Sequence, residues 1–196
     1  ALRGEKVTMA TDSFVVRSFK LGVLPEQPVP ILVAALREGM LKLAGREGDG
    51  AIINWLSADD VSTVAPIVHA AGDGSIKEVV ARIFVAPTDD ADTVRAMGRF
   101  AIAAYLNVPV YAAFHDWVGR GEALADMWRL WKDGDREAAL AAIPDHVVDE
   151  LIVWGTPEQC REHIGRYVEN GVTTPVLAVL PFGGDPRQTI RDLAPR

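Results

Sequence analysis

The junction between an apolar run and a helical segment carries the residue types of an anion-binding site. It consists of six residues: Ala34, Ala35, Leu36, Arg37, Glu38 and Gly39. The unpaired N–H groups and the dipole at a helix N-terminus favour an anion. Small side chains admit a ligand to the end of a strand, and Arg37 can pair with phosphate. The alternative is an ordinary strand-to-helix turn whose two charges form a surface ion pair.

Polar and aromatic residues also follow the second apolar run, residues 51–56. Asn54 can donate and accept hydrogen bonds, and Trp55 can stack on a ring system. We therefore expect Asn54 to contact a cofactor, and Trp55 and Ser57 to contact a substrate. The alternatives are a tryptophan of the core and a serine that only caps the next helix.

The remaining reactive side chains form no recognisable catalytic arrangement. His115 lies among Tyr111, Phe114 and Trp117. It can act as an acid or base beside a pocket, but a packed residue of an amphipathic helix is the favoured interpretation. The other histidines have no partners at metal-ligand spacing, and Cys160 is interpreted as a small, inert hydrophobe. The sequence predicts no metal site and leaves the catalytic residues unknown.

Strands that alternate with helices must position these residues. Short apolar runs bounded by turn signals predict four strands, over residues 31–36, 51–56, 78–86 and 174–180. The runs lack polar alternation, which indicates parallel strands buried on both faces and joined by right-handed crossovers. Residues 37–46 have helical spacing, and we expect the glycines from Gly45 onward to end that helix. Capping boxes at Ser57 and Thr156 predict two further helices.

We expect residues 1–196 to form a single domain with four parts. The parts are a hairpin and loop (1–27), three βα units (28–106), a helical insertion (107–154), and a last helix, strand and terminal helix (155–196). The hairpin strands are predicted over residues 7–10 and 14–18, and residues 145–153 are predicted to be helical. The tryptophans Trp117, Trp128 and Trp131 are predicted to form the core of the insertion.

The segment PVPILVAALREGMLKLAGREGDGAIINWL, residues 28–56, resembles the luciferase-like monooxygenase family, in particular its branch that uses coenzyme F420. The resemblance extends to LRGEKVTM, RIFVAPTDD, YLNVPVYAAFHDW, GTPEQC and TTPVLAVLP. It implies a (β/α)8 TIM barrel that binds a flavin or deazaflavin at the C-terminal ends of its strands, although family members often have Gly-Pro in place of Arg37-Glu38. A complete barrel needs about 250 residues. We therefore expect this α/β chain to be a C-terminal half-barrel, with four parallel strands and a helical insertion before the last strand.

The resemblance implies an oxidoreductase that performs hydride transfer or monooxygenation on a small organic substrate, with coenzyme F420 as cofactor and FMN as the alternative. Arg37 can then pair with a phosphate or with the polyglutamate tail of F420. Because the proton donors of the family come from the first half, we expect this chain alone to lack the catalytic residues. The competing hypotheses are a truncated, non-catalytic binding module and another phosphate-binding barrel enzyme.

Composition argues against several classes of partner. The chain has a formal net charge of −7 and no basic stripe, which argues against nucleic acid. No apolar run is long enough to cross a membrane, and a single cysteine is typical of a reducing cytoplasm. A half-barrel exposes unpaired backbone groups at its edge strands, here residues 31–36 and 174–180. We therefore expect a homo-oligomer or association with a missing N-terminal half, encoded upstream of Ala1.

Overall fold

The computed structural model describes residues 1–180 and 185–195, which fall into two compact units, residues 1–31 and 32–196. The sequence predicts one domain, in which the hairpin and loop occupy residues 1–27, and the boundary of the first unit lies four residues later. In the first unit, strands β1 (Val7–Ala10) and β2 (Val15–Phe19) form an antiparallel pair. This confirms the predicted hairpin. Pro181, at the end of the segment TTPVLAVLP, lies outside the described residues.

The second unit is an α/β fold built on a parallel sheet. Its strands are β3 (Leu32–Ala34), β4 (Gly50–Asn54), β5 (Glu78–Ala86), β6 (Ile152–Trp154) and β7 (Thr174–Val179). Its described helices are α1 (Glu38–Glu47), α2 (Ala58–Ala70), α3 (Ala91–Leu106), α4 (Pro109–His115), α5 (Gly121–Asp133), α6 (Arg136–Ala141), α7 (Asp145–Leu151), α8 (Pro157–Glu169) and α9 (Pro186–Leu193). One turn of π-helix, Asp116–Arg120, joins α4 to α5.

Strand β5 is the centre of the sheet. Its first half pairs with β4, which in turn pairs with β3. Phe84 and Val85 each pair with both β6 and β7, so these two strands lie on opposite edges of β5. The four predicted strands are present and parallel. The prediction of a helix through residue 153 is wrong at its end, because α7 stops at Leu151 and β6 adds a fifth strand to the sheet.

The two faces of the sheet differ in what covers them. Ile53, Ala81 and Ile83 are almost fully buried on one face, in a core that includes residues of α1, α2 and α8. On the other face, Ile52 and Val176 are exposed by 39% and 46%, and Arg82 is exposed as well. A second core cluster, built around the helical insertion, covers only the part of this face near the end of β5. The open part of the face is available to a ligand or a partner.

Local sequence signals explain how the helices next to the sheet begin. In α2, the Ser57 hydroxyl accepts a hydrogen bond from the Asp60 N–H, and the Asp60 carboxylate accepts one from the Ser57 N–H. Thr156 and Gln159 form the same reciprocal pair at α8. Both predicted capping boxes are therefore confirmed.

The expectation that Gly45 ends the first helix is wrong, because Gly45 is buried inside α1. A Cβ atom at this position would lie 2.1 Å from the carbonyl oxygen of Val68 in α2. The missing side chain lets α1 and α2 approach each other closely, so the glycine serves helix packing rather than helix termination.

Candidate functional site

An open cavity of about 770 Å³ lies on the exposed face of the sheet, at the ends of β3 and β4. It is lined by Ala34, Ala35, Leu36, Arg37, Glu38, Gly39, Met40, Ile52, Asn54, Arg82, Val110, Tyr111 and Trp117. The structure thus brings all seven residues expected to bind a cofactor, residues 34–39 and Asn54, to one cavity. Their role in binding stays a prediction.

The start of α1 forms one end of the cavity. Arg37 occupies the N-cap position in an extended conformation, and no side chain caps the helix. The first-turn residues Glu38, Gly39 and Met40 line the cavity, so the backbone N–H groups of this turn are available to a ligand. A Cβ atom added to Gly39 would meet no atom within 4 Å, so the space beside this glycine is open. The arrangement suits a bound anion.

The acidic residue at this end of the cavity is neutralised locally. The Glu38 carboxylate accepts a hydrogen bond of 2.6 Å from the Lys42 ammonium group, one helical turn along α1. This hydrogen bond, together with the Lys42 charge, lowers the pKa of Glu38. The ion pair considered for the turn therefore joins Glu38 to Lys42, and Arg37 makes no ion pair with another described residue. Its guanidinium remains available to an anion.

Asn54 provides an unsatisfied hydrogen-bond acceptor in the same cavity. Its side-chain N–H donates to the Tyr111 hydroxyl over 3.1 Å, which ties the end of β4 to α4. Its Oδ1 is buried and has no hydrogen-bond partner among the described residues. Buried polar atoms are nearly always paired, so this oxygen is suited to accept a hydrogen bond from a ligand N–H or O–H group.

Trp55 and Ser57, which the sequence predicted to contact substrate, are not among the residues that line the cavity, and their contact with substrate stays a prediction. Trp55 is 1% exposed and stacks on Phe84 with the ring centroids 3.9 Å apart. Its φ angle of +53° breaks the alternation of β4 and turns the ring into the core of the insertion. Ser57 is 4% exposed and caps α2. Trp55 is thus a tryptophan of the core and Ser57 a helix cap, which were the alternatives considered for these residues.

A buried ion cluster anchors the π-helical turn to the start of α2. Arg120 donates from one terminal nitrogen to both Asp60 carboxylate oxygens, at 3.0 and 2.8 Å. Its other groups donate to the Ser57 hydroxyl, at 3.0 Å, and to the Glu150 carboxylate, at 2.9 Å. Arg120 and Asp60 are 8% and 7% exposed. The cluster holds the segment that contains Tyr111 and Trp117 in place, and both of these residues line the cavity.

His115 is fully buried beside this cluster. Its exposed fraction is 0%, and neither ring nitrogen meets full hydrogen-bond geometry with a described residue, although a weak contact with the Trp55 backbone acts to raise the pKa of the ring. Burial, and secondarily the charge of Arg120, lowers the pKa of His115 to about 3. The ring is therefore neutral at physiological pH and does not line the cavity, which agrees with its interpretation as a packed residue.

Sequence reasoning missed several lining residues. Trp117 was assigned to the core of the insertion, but it is 38% exposed and lines the cavity. Tyr111 reaches Asn54 from 57 positions away, a contact that local patterns do not encode. Arg82 did carry a signal that was overlooked, since it is a charged residue in the middle of β5, whose other residues after Glu78 are all apolar.

The described part of the chain has neither a cluster of metal-binding side chains nor a membrane-spanning helix. No group of three or more histidine, cysteine or acidic side chains is placed to hold a metal ion within residues 1–180 and 185–195. Over the same residues, no helix is long and apolar enough to cross a membrane.

Known proteins resemble the chain over nearly its whole length. It is 28% identical to a 5,10-methylenetetrahydromethanopterin reductase of Methanolobus tindarius, over 97% of this chain and 60% of the relative. It is 25% identical to an F420-dependent glucose-6-phosphate dehydrogenase of Mycobacterium tuberculosis, over 98% of this chain and 56% of the relative. The chain therefore spans a little more than half the length of these curated relatives.

A solved structure shows the same fold. The F420-dependent tetrahydromethanopterin reductase of Methanopyrus kandleri superposes with a TM-score of 0.72 at 19% identity, over 98% of this chain and 57% of that chain. The model of the luciferase-like monooxygenase family matches residues 1–174, which is most of the sequence. With the parallel sheet and its strand-end cavity, this match shows that the chain belongs to the luciferase-like monooxygenase family.

Proposed function

We propose that this chain forms the cofactor-binding part of an oxidoreductase that uses coenzyme F420, with FMN as the alternative cofactor. One observation carries the proposal: residues 34–39 and Asn54, selected from the sequence, line one cavity of about 770 Å³ at the strand ends. The names of the relatives from Methanolobus tindarius and Mycobacterium tuberculosis describe reductase and dehydrogenase activities, and the second specifies F420. Both support an oxidoreductase.

The residues of the cavity fit the chemical parts of such a cofactor. The uncapped first turn of α1 and the Arg37 guanidinium can hold its phosphate. The orphaned Asn54 oxygen can accept a hydrogen bond from a ring N–H group, and Ile52 and Val110 supply apolar wall. When bound, a deazaflavin or flavin carries two electrons as a hydride. The protein groups bind and orient the ring; we assign none of them as a catalytic acid or base.

The substrate we propose is a small organic molecule, bound on the open face of the sheet beside the cofactor. That face carries the exposed side chains of Ile52 and Val176. In a (β/α)8 barrel the corresponding face is the packed interior. We therefore propose that the second unit is a half-barrel, in which further barrel strands or a second copy of the chain cover the open face outside the strand-end cavity.

Cofactor titrations of the purified 196-residue chain test this function. We expect F420 to bind, with a change in its absorption and fluorescence, and the Gly39→Val variant to bind at least about tenfold more weakly. Gly39 has open space around it, so the variant should keep the wild-type melting temperature while its side chain blocks the approach of phosphate. Gly165→Val, at an equally open glycine of α8 outside the cavity, is the matched control.

The FMN titration separates the two cofactors. Tighter binding of FMN than of F420, with the same loss in Gly39→Val, would select the alternative. Equal affinity of wild type and Gly39→Val for the cofactor would show that phosphate does not lie at α1. If neither cofactor binds to a chain that melts cooperatively, the chain is not the cofactor-binding part of an oxidoreductase.

A further inference from the structure

Arg82 is an unpaired cation in the middle of the central strand. It is exposed, lines the cavity, and is in register with Asn54 of β4 and Val176 of β7. No carboxylate of residues 1–180 or 185–195 forms an ion pair with it. Its neighbours on the same face of β5, Val80 and Phe84, are both buried and apolar. Arg82 is therefore a charged residue between two apolar residues of the same strand face.

The guanidinium of Arg82 is held over an aromatic ring. Its Cζ lies 4.6 Å from the centroid of the Phe84 ring, two residues further along β5. A guanidinium that stacks by its face keeps the N–H groups of its edge free. Those groups match the two oxygens of a carboxylate or phosphate. The contact with Phe84 holds the guanidinium beside the cavity that Arg82 lines, where its N–H groups can meet an anion.

The Arg82 guanidinium is well separated from the start of α1. Strands β3, β4 and β5 lie side by side, and neighbouring strands are about 4.8 Å apart, so β5 runs about 10 Å from β3. Since the guanidinium stacks over Phe84 on its own strand, it stays above β5 rather than reaching toward β3. The cavity therefore has two distinct positive positions, one at α1 and Arg37 and the other at Arg82.

The charge balance of the cavity agrees with a second anion. Among its described lining residues the charged side chains are Arg37, Glu38 and Arg82. The Glu38 carboxylate lies 2.6 Å from the ammonium group of Lys42, a residue that does not line the cavity. Two arginines are left without a compensating carboxylate in the described part of the chain. A cofactor phosphate at α1 accounts for Arg37, and a second anion beside β5 would account for Arg82.

We propose that Arg82 binds a carboxylate or phosphate group of the substrate, beside the cofactor. The inference rests on the proposed function and specifies its substrate class as a small organic anion. Arg82 acts as a specificity-determining residue, because it pairs with a part of the substrate that does not react. A neutral substrate analogue leaves the guanidinium unpaired and binds more weakly.

Calorimetric titrations with inorganic phosphate and with succinate, in the presence and absence of F420, test the proposal. We expect at least one anion to bind, Arg82→Gln to weaken it about tenfold or more, and Arg82→Lys to retain an intermediate affinity. Arg129→Gln, at an exposed arginine of α5 outside the cavity, is the control and should bind as wild type does. The affinity of Arg82→Gln for F420 should stay within about twofold of wild type. The preference for succinate or for phosphate identifies the anionic group.

Several results would overturn the assignment. The first is the absence of binding of both anions to the wild-type chain. The second is that wild type and Arg82→Gln bind succinate, or phosphate in the presence of F420, with equal affinity. A tenfold loss of F420 affinity in Arg82→Gln would instead place Arg82 in the cofactor site. If F420 fails to bind but anion binding still depends on Arg82, the cofactor proposal fails and the anion site stands. The two proposals are therefore tested separately.

Discussion

The substitution His115→Leu should change how the stability of the fold depends on pH. His115 is fully buried, and its ring nitrogens have at most a weak backbone contact with Trp55 to replace their hydrogen bonds to water. Burial, with a contribution from the Arg120 charge, lowers its pKa from 6.5 to about 3. Leucine has a similar size and carries no polar atom, so it removes the unsatisfied nitrogens. We expect the variant to be at least as stable as wild type near neutral pH.

The direction of the effect follows from proton linkage. Because the pKa of folded His115 is depressed, the unfolded chain binds a proton between pH 6.5 and about 3 that the folded chain does not. The contribution of His115 to the free energy of unfolding therefore falls as pH decreases through this window, by about 1.4 kcal/mol per pH unit. At pH 5 the wild-type protein should have lost about 2 kcal/mol that His115→Leu retains.

Urea unfolding curves at several pH values between about 7 and 5 measure this difference. Carboxylates titrate in both proteins, so the difference in free energy between them isolates the histidine. Phe114→Leu is the matched control, because Phe114 is 1% exposed, neighbours His115 and cannot titrate. Its loss of stability should be the same at each pH. A difference between wild type and His115→Leu that stays constant within about 0.5 kcal/mol would refute the reasoning.

Two further predictions concern the buried ion cluster and the open face of the sheet. Arg120→Met leaves the buried Asp60 carboxylate without its cation and should lower the free energy of unfolding by about 3–5 kcal/mol, measured with urea. Adding Asp60→Asn to this variant should restore part of that free energy. If nothing is restored, the assignment of the buried ion pair is wrong. The open face exposes Ile52 and Val176, so sedimentation velocity should show concentration-dependent association that Ile52→Lys weakens. A monomer at every concentration would argue against a covered face.

The strands that could be predicted from the sequence are those with long apolar runs bounded by turns. The predicted strand over residues 78–86 matches β5 at both ends. The capping boxes at Ser57 and Thr156 were predictable because both partners lie within three residues. Signals of this kind are local, and so local reasoning finds them.

Strand β6 was missed because nothing in its sequence separates it from the helix before it. Ile152, Val153 and Trp154 continue the apolar pattern of α7 without a glycine or proline. What makes them a strand is pairing with the last three residues of β5, more than sixty positions earlier in the chain. Short elements of this kind are set by tertiary contacts rather than by propensity.

The candidate site also contains residues that local patterns identify and residues that they do not. Residues 34–39 form one continuous junction between β3 and α1, so a single motif identifies them. The helical insertion contributes Val110, Tyr111 and Trp117 to the cavity. Their positions depend on Arg120, which anchors α4 and the π-helical turn to α2. That anchor joins residues 60 positions apart. No pattern within either segment predicts it.

Asn54 and Trp55 show why neighbours in sequence take different roles. Regular alternation would place Trp55 beside Ile53 in the helix-covered core, but its positive φ turns the ring onto Phe84 instead. Trp55 in turn contacts Tyr105, with centroids 5.2 Å apart, and Tyr105 contacts Tyr111 at 6.0 Å. Tyr111 receives the hydrogen bond from Asn54. Such a φ angle in a non-glycine residue costs on the order of 1–3 kcal/mol. The strained backbone is tolerated because the contacts of Trp55 with Tyr105, and of Tyr105 with Tyr111, position the Tyr111 hydroxyl. Tyr111 in turn orients the Asn54 side chain, whose Oδ1 is left free for a ligand within the described residues.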